Sequence, residues 1–110
     1  MRKDIILKND KYRKSRNGYA RLLNIYCRKC AKQLLTYQKD GPGNLRRLYF
    51  DRIFAPSALQ GLQYKDLKSV PALRCKRCGE ILGQPYVYLK EKRKAFRLFQ
   101  ASVVKKIKKI

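Results

Sequence analysis

The stretch RCKRCGEILG, Arg74 to Gly83, contains two cysteines separated by two cationic residues, with a glycine directly after the second cysteine. A matching stretch, IYCRKCAKQL, runs from Ile25 to Leu34 and has alanine in place of that glycine. The chain thus contains two C-x2-C pairs separated by 44 residues, formed by Cys27, Cys30, Cys75 and Cys78. Each pair is followed by a small residue and then by strand-like sequence, so the two regions form a weak internal repeat.

This spacing predicts a metal site with four thiolate ligands. Zinc takes four ligands in a tetrahedron, with sulfur at about 2.3 Å, and a two-residue spacer lets one tight turn present two thiolates. The chain has no histidine, which excludes a mixed Cys/His site and a His-based catalytic zinc site. We expect one structural Zn²⁺ bound by all four cysteines, and an apoprotein that is largely unfolded.

Other uses of the four cysteines stay open at this level. Three disulfide pairings are possible, although the N-terminal stretch lacks the long apolar segment of a secretory signal and so favours a reducing compartment. A thioredoxin-like redox pair would need a βαβ context that is not visible in the sequence. Cysteines that only fill a core would not be expected in two matched pairs, whereas iron accepts the same four-thiolate geometry as zinc.

Cations stand between the two cysteines of each pair, and they have an electrostatic role in this hypothesis. A divalent ion with four thiolates carries a net charge of about −2, which is costly to bury unless cations or backbone N–H groups face the sulfurs. The cations in the spacers are suited to that task and would favour thiolate formation. They are Arg28, Lys29, Lys76 and Arg77.

The segments YCRKCAKQL and LRCKRCGEIL resemble the two knuckles of the zinc-ribbon superfamily. The second is the better match, because Gly79 stands where the family uses glycine to free the turn, whereas the first has Ala31. The resemblance covers about 20 residues and implies paired β-hairpins around one zinc, a fold common in small ribosomal and transcription-associated proteins. The 44-residue separation exceeds the roughly 15–20 residues of compact ribbons, so a large insertion, a treble clef or a divergent clasp remain alternatives.

The chain as a whole predicts a small α+β fold that is mostly β, with zinc-ribbon-like hairpins, one short inserted helix and basic terminal extensions. Residues 1–18 are predicted to form a basic arm or a hairpin strand. One zinc-binding domain is expected over residues 19–100, with an insertion at 40–71. Residues 101–110 are predicted to be a basic tail.

Strands are predicted at Tyr19–Cys27 and Gln33–Tyr37, and a later hairpin joins Tyr86–Leu89 to Ala95–Phe99. The pair Asn17-Gly18 favours a two-residue turn that would join a strand over Tyr12–Arg16 to the first of these strands. A disordered basic arm is the alternative there.

Two helical segments are also predicted. Asn44 is placed as the N-cap of a short helix whose helically spaced residues are Leu45, Leu48, Tyr49, Arg52 and Ile53. Beyond it, Ala55–Ser69 is predicted to be a loop with a short helical turn. In the C-terminal tail, helical spacing places Val103, Ile107 and Ile110 on one face, with a frayed end as the alternative.

Charge indicates the class of partner. Lys and Arg number 29 against 7 Asp and Glu, which gives a formal net charge of +22. A polyanion would neutralise the resulting self-repulsion, and nucleic acid is the obvious candidate. The longest uncharged run, Ile53–Tyr64, contains Pro56 and is too short to cross a bilayer, so no membrane partner is expected.

Arg46 and Arg47 are the leading candidates for phosphate contact, because they would lie beside free amides at the start of the predicted helix. Phe50 is a candidate for base stacking, with packing under the loop that follows as its alternative role. The remaining candidates lie in basic runs and would bind the nucleic-acid backbone. They are Lys14, Arg16, Arg21, Lys39, Lys92, Arg93, Lys94, Lys105 and Lys106.

RNA is favoured over DNA, since the chain has no recognition helix of a known DNA-binding motif. The sequence thus predicts a ribosomal or ribosome-associated protein that contacts rRNA, with neighbouring ribosomal proteins as further partners. A DNA-binding or transcription-associated adaptor is the alternative. No enzyme and no small-molecule substrate are expected, because histidine is absent and the few acids are scattered, although Asp40 and Asp51 could approach each other. The expected location is the cytoplasm or another reducing compartment with ribosomes.

Overall fold

The computed structural model describes residues 7–16 and 18–108, and its regular structure is almost entirely β. Eight strands follow one another: β1 Ala20–Cys27, β2 Gln33–Asp40, β3 Arg47–Tyr49, β4 Ile53–Ala55, β5 Leu73–Arg74, β6 Ile81–Tyr88, β7 Arg93–Leu98 and β8 Val103–Ile107. One helical turn, α1 (Lys11–Lys14), precedes them. Single 3₁₀ turns lie at Phe50–Arg52, Ser57–Leu59, Leu62–Tyr64 and Leu67–Ser69.

The strands form two four-stranded antiparallel sheets. The strand order is β4-β2-β1-β8 in the first sheet and β3-β7-β6-β5 in the second. One C-x2-C turn connects β1 to β2 in the first sheet, and the other connects β5 to β6 in the second. The two cysteine pairs therefore belong to different sheets.

The hydrophobic core contains side chains from both sheets. Ile25 and Leu35 contribute from β1 and β2, while Leu82 and Phe96 contribute from β6 and β7. Phe50 packs against Phe96 with ring centroids 4.7 Å apart. Burial of this shared apolar surface is the main force that holds the sheets together.

The predicted strands at β1 and β2 and the hairpin of β6 and β7 are confirmed. In β1 the buried residues Leu23, Ile25 and Cys27 alternate with the half-buried Asn24 and Tyr26. This is the two-residue period of a strand with one face in the core. The prediction of a small, mostly β protein is thus confirmed.

The helix predicted after Asn44 is wrong. Arg47–Tyr49 is a strand, in which Leu48 pairs with Phe96 of β7, and one 3₁₀ turn connects it to β4. Four of the five residues that suggested the helix are buried in this strand–turn–strand segment, and Phe50, which lies off that helical face, is buried with them. Pairing with β7 overrides the local pattern, because it satisfies the backbone and buries the same apolar side chains.

The helical interpretation of the C-terminal tail is also wrong for the described residues. Val103–Ile107 is a strand that pairs antiparallel with β1, so that Val103 lies opposite Cys27 and Ile107 opposite Leu23. The N–H and C=O groups on the edge of β1 form hydrogen bonds with this distant segment. The local spacing of apolar residues does not indicate such a long-range pairing. Ile110 lies outside the described residues.

The hairpin predicted around Asn17-Gly18 is not formed by the described residues, and Asn17 lies outside them. Lys11–Lys14 is a helical turn, and the Asp10 carboxylate caps it by accepting hydrogen bonds from the amides of Tyr12 and Arg13. This cap satisfies amides at the start of the turn and so favours helix over strand locally.

A buried arginine attaches this N-terminal segment to the sheets. The Arg52 side chain is 0% exposed, and its guanidinium donates to Asp10 at 2.6 Å and to Asp40 at 2.9 Å. Asp51 lies 3.8 Å from the same group. Asp40 and Asp51, the two acids that the sequence suggested could approach each other, both lie against the Arg52 guanidinium.

Candidate metal centre and basic groove

The two C-x2-C turns have the same backbone structure. In the first, the Cys27 amide donates to the Lys32 carbonyl at 2.8 Å and the Ala31 amide donates to the Cys27 carbonyl at 2.9 Å. In the second, the Cys75 amide donates to Glu80 at 2.9 Å and the Gly79 amide to Cys75 at 2.8 Å. The weak repeat in the sequence therefore corresponds to two equivalent turns.

The four sulfurs form one compact cluster, as the spacing predicts. All four Sγ atoms lie within 4.8 Å of one another. Cys27 lies 3.7 Å from Cys78, and Cys30 lies 3.5 Å from Cys75. Four sulfurs at about 2.3 Å from one tetrahedral ion would be separated by about 3.8 Å, whereas a disulfide requires about 2.05 Å. The cysteines are free thiols, and their arrangement fits a single metal ion.

The first cysteine of each pair is buried and the second is more accessible. Backbone N–H groups of Cys78 and Arg77 point at the Cys75 sulfur, and they lower the pKa of that thiol to about 6 against the opposing effect of burial. The Glu80 amide acts in the same direction on Cys78, but burial and the neighbouring sulfurs raise the pKa of Cys78 to about 11. A bound cation would favour the deprotonated form of each thiol.

The four spacer cations, Arg28, Lys29, Lys76 and Arg77, are exposed around the cluster. Lys29 of the first turn lies 3.4 Å from Glu80 of the second, which adds an ion pair between the two sheets. The Arg28 amide donates to the Ser102 carbonyl at 3.1 Å and so connects the first turn to the start of β8.

A cavity of about 940 Å³ lies between the start of β3, the end of β7 and the start of β8. We call it the basic groove, and its cationic residues are Arg28, Arg46, Arg47, Arg97 and Lys105. No acidic residue lines it among the described residues. Strands of both sheets form its walls, so the groove exists only in the folded chain.

Arg46 and Arg47 lie at the entry to β3, where the Arg46 carbonyl accepts a hydrogen bond from the Leu98 amide at 3.2 Å. Arg46 is exposed, whereas the Arg47 Nε atom donates to the Tyr86 hydroxyl at 2.9 Å. The Arg47 guanidinium also lies 4.0 Å from the centroid of the Tyr88 ring. Neutral aromatic partners thus hold Arg47 in place and leave its charge uncompensated.

Two of the predicted nucleic-acid contacts need correction. Phe50 is 1% exposed and packs against Phe96, so its ring has no free face on which a base could stack. Arg93 is 6% exposed, and its guanidinium pairs with Asp51 at 2.7 Å and lies over the ring of Tyr49. Both side chains stabilise the interior.

The other predicted residues are spread over the surface. Lys105 lines the basic groove, and Lys39 lines a smaller pocket next to it. Arg16 pairs with Glu91 at 2.7 Å, and Lys94 donates to the carbonyls of Gln63 and Lys65. Lys14, Lys92 and Lys106 are exposed, and Arg21 is half-buried.

Sequence reasoning missed Arg97 and Phe99 as groove residues. Phe99 is 45% exposed and directly follows β7, where the buried apolar residues are Ala95 and Phe96. The exposed Arg97 between buried or half-buried neighbours is the period-two signal of a strand, and it could have placed Arg97 on the outer face. Their position beside Arg46 depends on the pairing of β3 with β7 and could not be read from the sequence.

Comparison with protein-family models, with curated proteins and with solved structures found no match to this chain. Within the part of the chain that the structure describes, no helix is long and apolar enough to cross a membrane.

Proposed function

We propose that this chain is a structural zinc protein that binds RNA, as a ribosomal or ribosome-associated component in contact with the rRNA backbone. The observation that carries the proposal is the basic groove, a 940 Å³ cavity lined by five cations and by no acid among the described residues. A concave cationic surface of this kind attracts phosphates and releases their counterions.

The distribution of acidic residues supports a polyanionic partner. Four of the chain's carboxylates pair with buried or half-buried arginines: Asp10, Asp40, Asp51 and Glu91. Lys29 pairs with a fifth, that of Glu80. These carboxylates are therefore already paired with cations outside the groove, and the cations of the basic groove need an external counter-charge.

Aromatic side chains in the groove favour RNA with unpaired bases. Phe99 is partly exposed beside Arg97, and the Tyr86 hydroxyl is fixed by Arg47. A base could stack on the Phe99 ring while its phosphate contacts a neighbouring arginine. Phe99 thus replaces Phe50 as the candidate for stacking.

The proposed role of the metal is structural. Four thiolates complete the tetrahedral shell of zinc and leave no position for a substrate or an activated water. Because two ligands come from each sheet, the ion would hold the sheets together and so maintain the groove. Iron can use the same ligands, so metal analysis of protein purified from cells is the test of zinc.

We assign no reaction to the chain. A metal-dependent nuclease would need clustered carboxylates that are free to bind Mg²⁺. The nearest candidates, Asp40 and Asp51, both face the Arg52 guanidinium. The proposed location is a reducing compartment that contains ribosomes, where free thiolates persist.

The test is a binding measurement with the zinc-loaded protein over a range of salt concentrations. We expect tighter binding to structured RNA than to duplex DNA of equal length, with a log–log salt slope of about −0.7 to −0.9 per neutralised phosphate. Arg97→Glu and Arg46→Glu should weaken binding strongly. The matched control is Lys68→Glu, which makes the same charge change at an exposed residue outside the groove.

Equal losses in the groove variants and in the Lys68 control would refute the proposed groove, since a diffuse polycation would be sufficient. Preference for duplex DNA would favour the alternative, a transcription-associated adaptor. Native mass spectrometry of the complex recovered from cells would identify the metal and the partner together, and neighbouring ribosomal proteins are the expected co-purifying chains.

A further inference from the structure

A second cavity of about 290 Å³ adjoins the basic groove beside the turn formed by Gly41, Pro42 and Gly43. We call it the turn pocket. Its cationic lining residues are Arg16, Lys39, Arg46 and Arg47, and the last two also line the basic groove. The pocket is therefore a side chamber of the groove.

Lys39 is the unusual member of this lining, because its side chain is buried without a carboxylate partner among the described residues. It is 8% exposed, and its ammonium donates to the carbonyls of Gly41 at 2.9 Å and Pro42 at 3.3 Å. An ammonium has three donors, so one remains for a ligand. Burial lowers the pKa of Lys39, neighbouring cations lower it further, and Asp40 acts in the opposite direction. A buried cation that forms no ion pair is costly unless an anion binds beside it.

The one carboxylate in the pocket lining is already engaged elsewhere. Asp40 accepts hydrogen bonds from Arg52 at 2.9 Å and from the Gln38 amide at 2.8 Å. Arg16 is neutralised by Glu91. Lys39, Arg46 and Arg47 thus remain as three cations around one small cavity.

We propose that the turn pocket binds a single phosphate group, with Lys39 at its base and Arg46 and Arg47 at its mouth. The volume is at the lower limit of the range for sites that enclose a drug-sized ligand, about 300 Å³, which suits a phosphate and part of its sugar better than a folded RNA segment. Ammonium and guanidinium groups are the side chains that proteins use most to bind phosphate. The identification of RNA as the source of the phosphate rests on the proposed function, whereas the pocket itself does not.

The experiment compares zinc-loaded wild-type protein with Lys39→Met, which keeps the length of the side chain and removes its charge. Lys68→Met is the control, because Lys68 is exposed and lies outside both cavities. With structured RNA, Lys39→Met should make the salt slope shallower by about 0.7–0.9, the contribution of one phosphate, and the control should leave it unchanged. Arg46→Gln serves as a second variant if Lys39→Met does not fold, since Arg46 is exposed. The variant that combines both substitutions should reduce the salt slope by no more than either single variant does, because both residues contact one phosphate.

Two RNAs distinguish the source of the phosphate. If the pocket takes a terminal monoester, a 5′-phosphorylated RNA should bind more tightly than its 5′-hydroxyl counterpart, and Lys39→Met should abolish the difference. If it takes an internal diester, both RNAs should bind alike and both should lose slope in the variant. If Lys39→Met folds and binds RNA with the wild-type salt slope and affinity, the proposed phosphate pocket is refuted.

Inorganic phosphate separates this proposal from the proposed function. Saturable binding that requires Lys39, monitored by ³¹P NMR, would support the pocket even if the wild-type protein showed no salt-dependent RNA binding. If Lys39→Met binds RNA as the wild type does, the proposed RNA site in the basic groove is retained and the proposed phosphate site in the turn pocket is refuted. Additive losses of slope in Lys39→Met and Arg46→Gln would also refute it, because they would indicate two separate phosphates.

Discussion

The residue after the second cysteine of each pair is alanine in one turn and glycine in the other, and exchanging them should change the stability in opposite directions. Ala31 has a backbone φ of 65° and Gly79 a φ of 79°, so both occupy the left-handed region. A residue with a Cβ atom is destabilised there by roughly 1–2 kcal/mol, whereas glycine has no such steric strain. Glycine loses about 0.4–1 kcal/mol more chain entropy on folding than alanine, which offsets part of the difference.

We therefore expect Ala31→Gly to stabilise the protein and Gly79→Ala to destabilise it, each by about 0.5–1 kcal/mol. No atom lies within 4 Å of the position that a Cβ on Gly79 would occupy, so the second change acts through the backbone alone. For a domain of this size, 1 kcal/mol corresponds to a shift in Tm of about 4–8 °C. The double variant, with the two residue types exchanged, should be close to wild type.

Urea and thermal unfolding of the metal-loaded variants provide the measurement. Free metal must be held constant by a buffer, because bound metal shifts the apparent stability by mass action. If Ala31→Gly lowered the stability, or if both single variants moved it in the same direction, the equivalence of the two turns would be refuted. A metal titration of each variant checks that ligand geometry has not changed.

Three further perturbations test other parts of the structure. Removal of the metal by a chelator should unfold the protein reversibly, as followed by circular dichroism, because a structural zinc site contributes on the order of 10–16 kcal/mol; a folded apoprotein would contradict this role. Arg52→Met leaves the buried Asp40 carboxylate without its cation, and we expect urea unfolding to show a loss of about 3–5 kcal/mol, against little change for the exposed Arg97→Met. Burial raises the pKa of Tyr37 above its ordinary value of 10.0, so the native state retains this proton more strongly than the unfolded chain, and stability should be full below about pH 10 and fall as the pH rises further. Tyr37→Phe loses the hydrogen bond from the Tyr49 amide and about 1 kcal/mol at pH 8, but its stability should decline less above pH 10; an equal decline would rule out this phenol as the titrating group.

The cysteine cluster was the part of the site that the sequence predicted best. Two C-x2-C spacings are local features, and each specifies a tight turn that brings two thiols together. That the two cysteine pairs would approach each other then follows from the coordination number of one ion. The strand before the first turn was equally predictable, because buried and half-buried residues alternate along the second half of β1.

The errors lie where long-range pairing overrides local pattern. Leu45 and Leu48 are at helical spacing, yet Leu48 pairs with Phe96, 48 positions further along the chain. Val103 and Ile107 also have helical spacing, but their segment forms a strand that pairs with the open edge of β1. Periodicity reports which residues are buried, and the same residues can be buried by a strand–turn–strand segment as well as by a helix.

The charges divide in the same way. Composition alone predicts an excess of cations and hence a polyanionic partner, since net charge is a sum that needs no coordinates. Tertiary structure decides which cations are available to a partner. Arg52 and Arg93 pair with carboxylates inside the fold, while Arg97 and Lys39 line cavities. The sequence by itself determined the four candidate metal ligands and the total charge, because cysteine spacing and composition are local properties. The packing of the two sheets decided where that charge is exposed, because burial and ion pairing depend on residues that are distant in the chain.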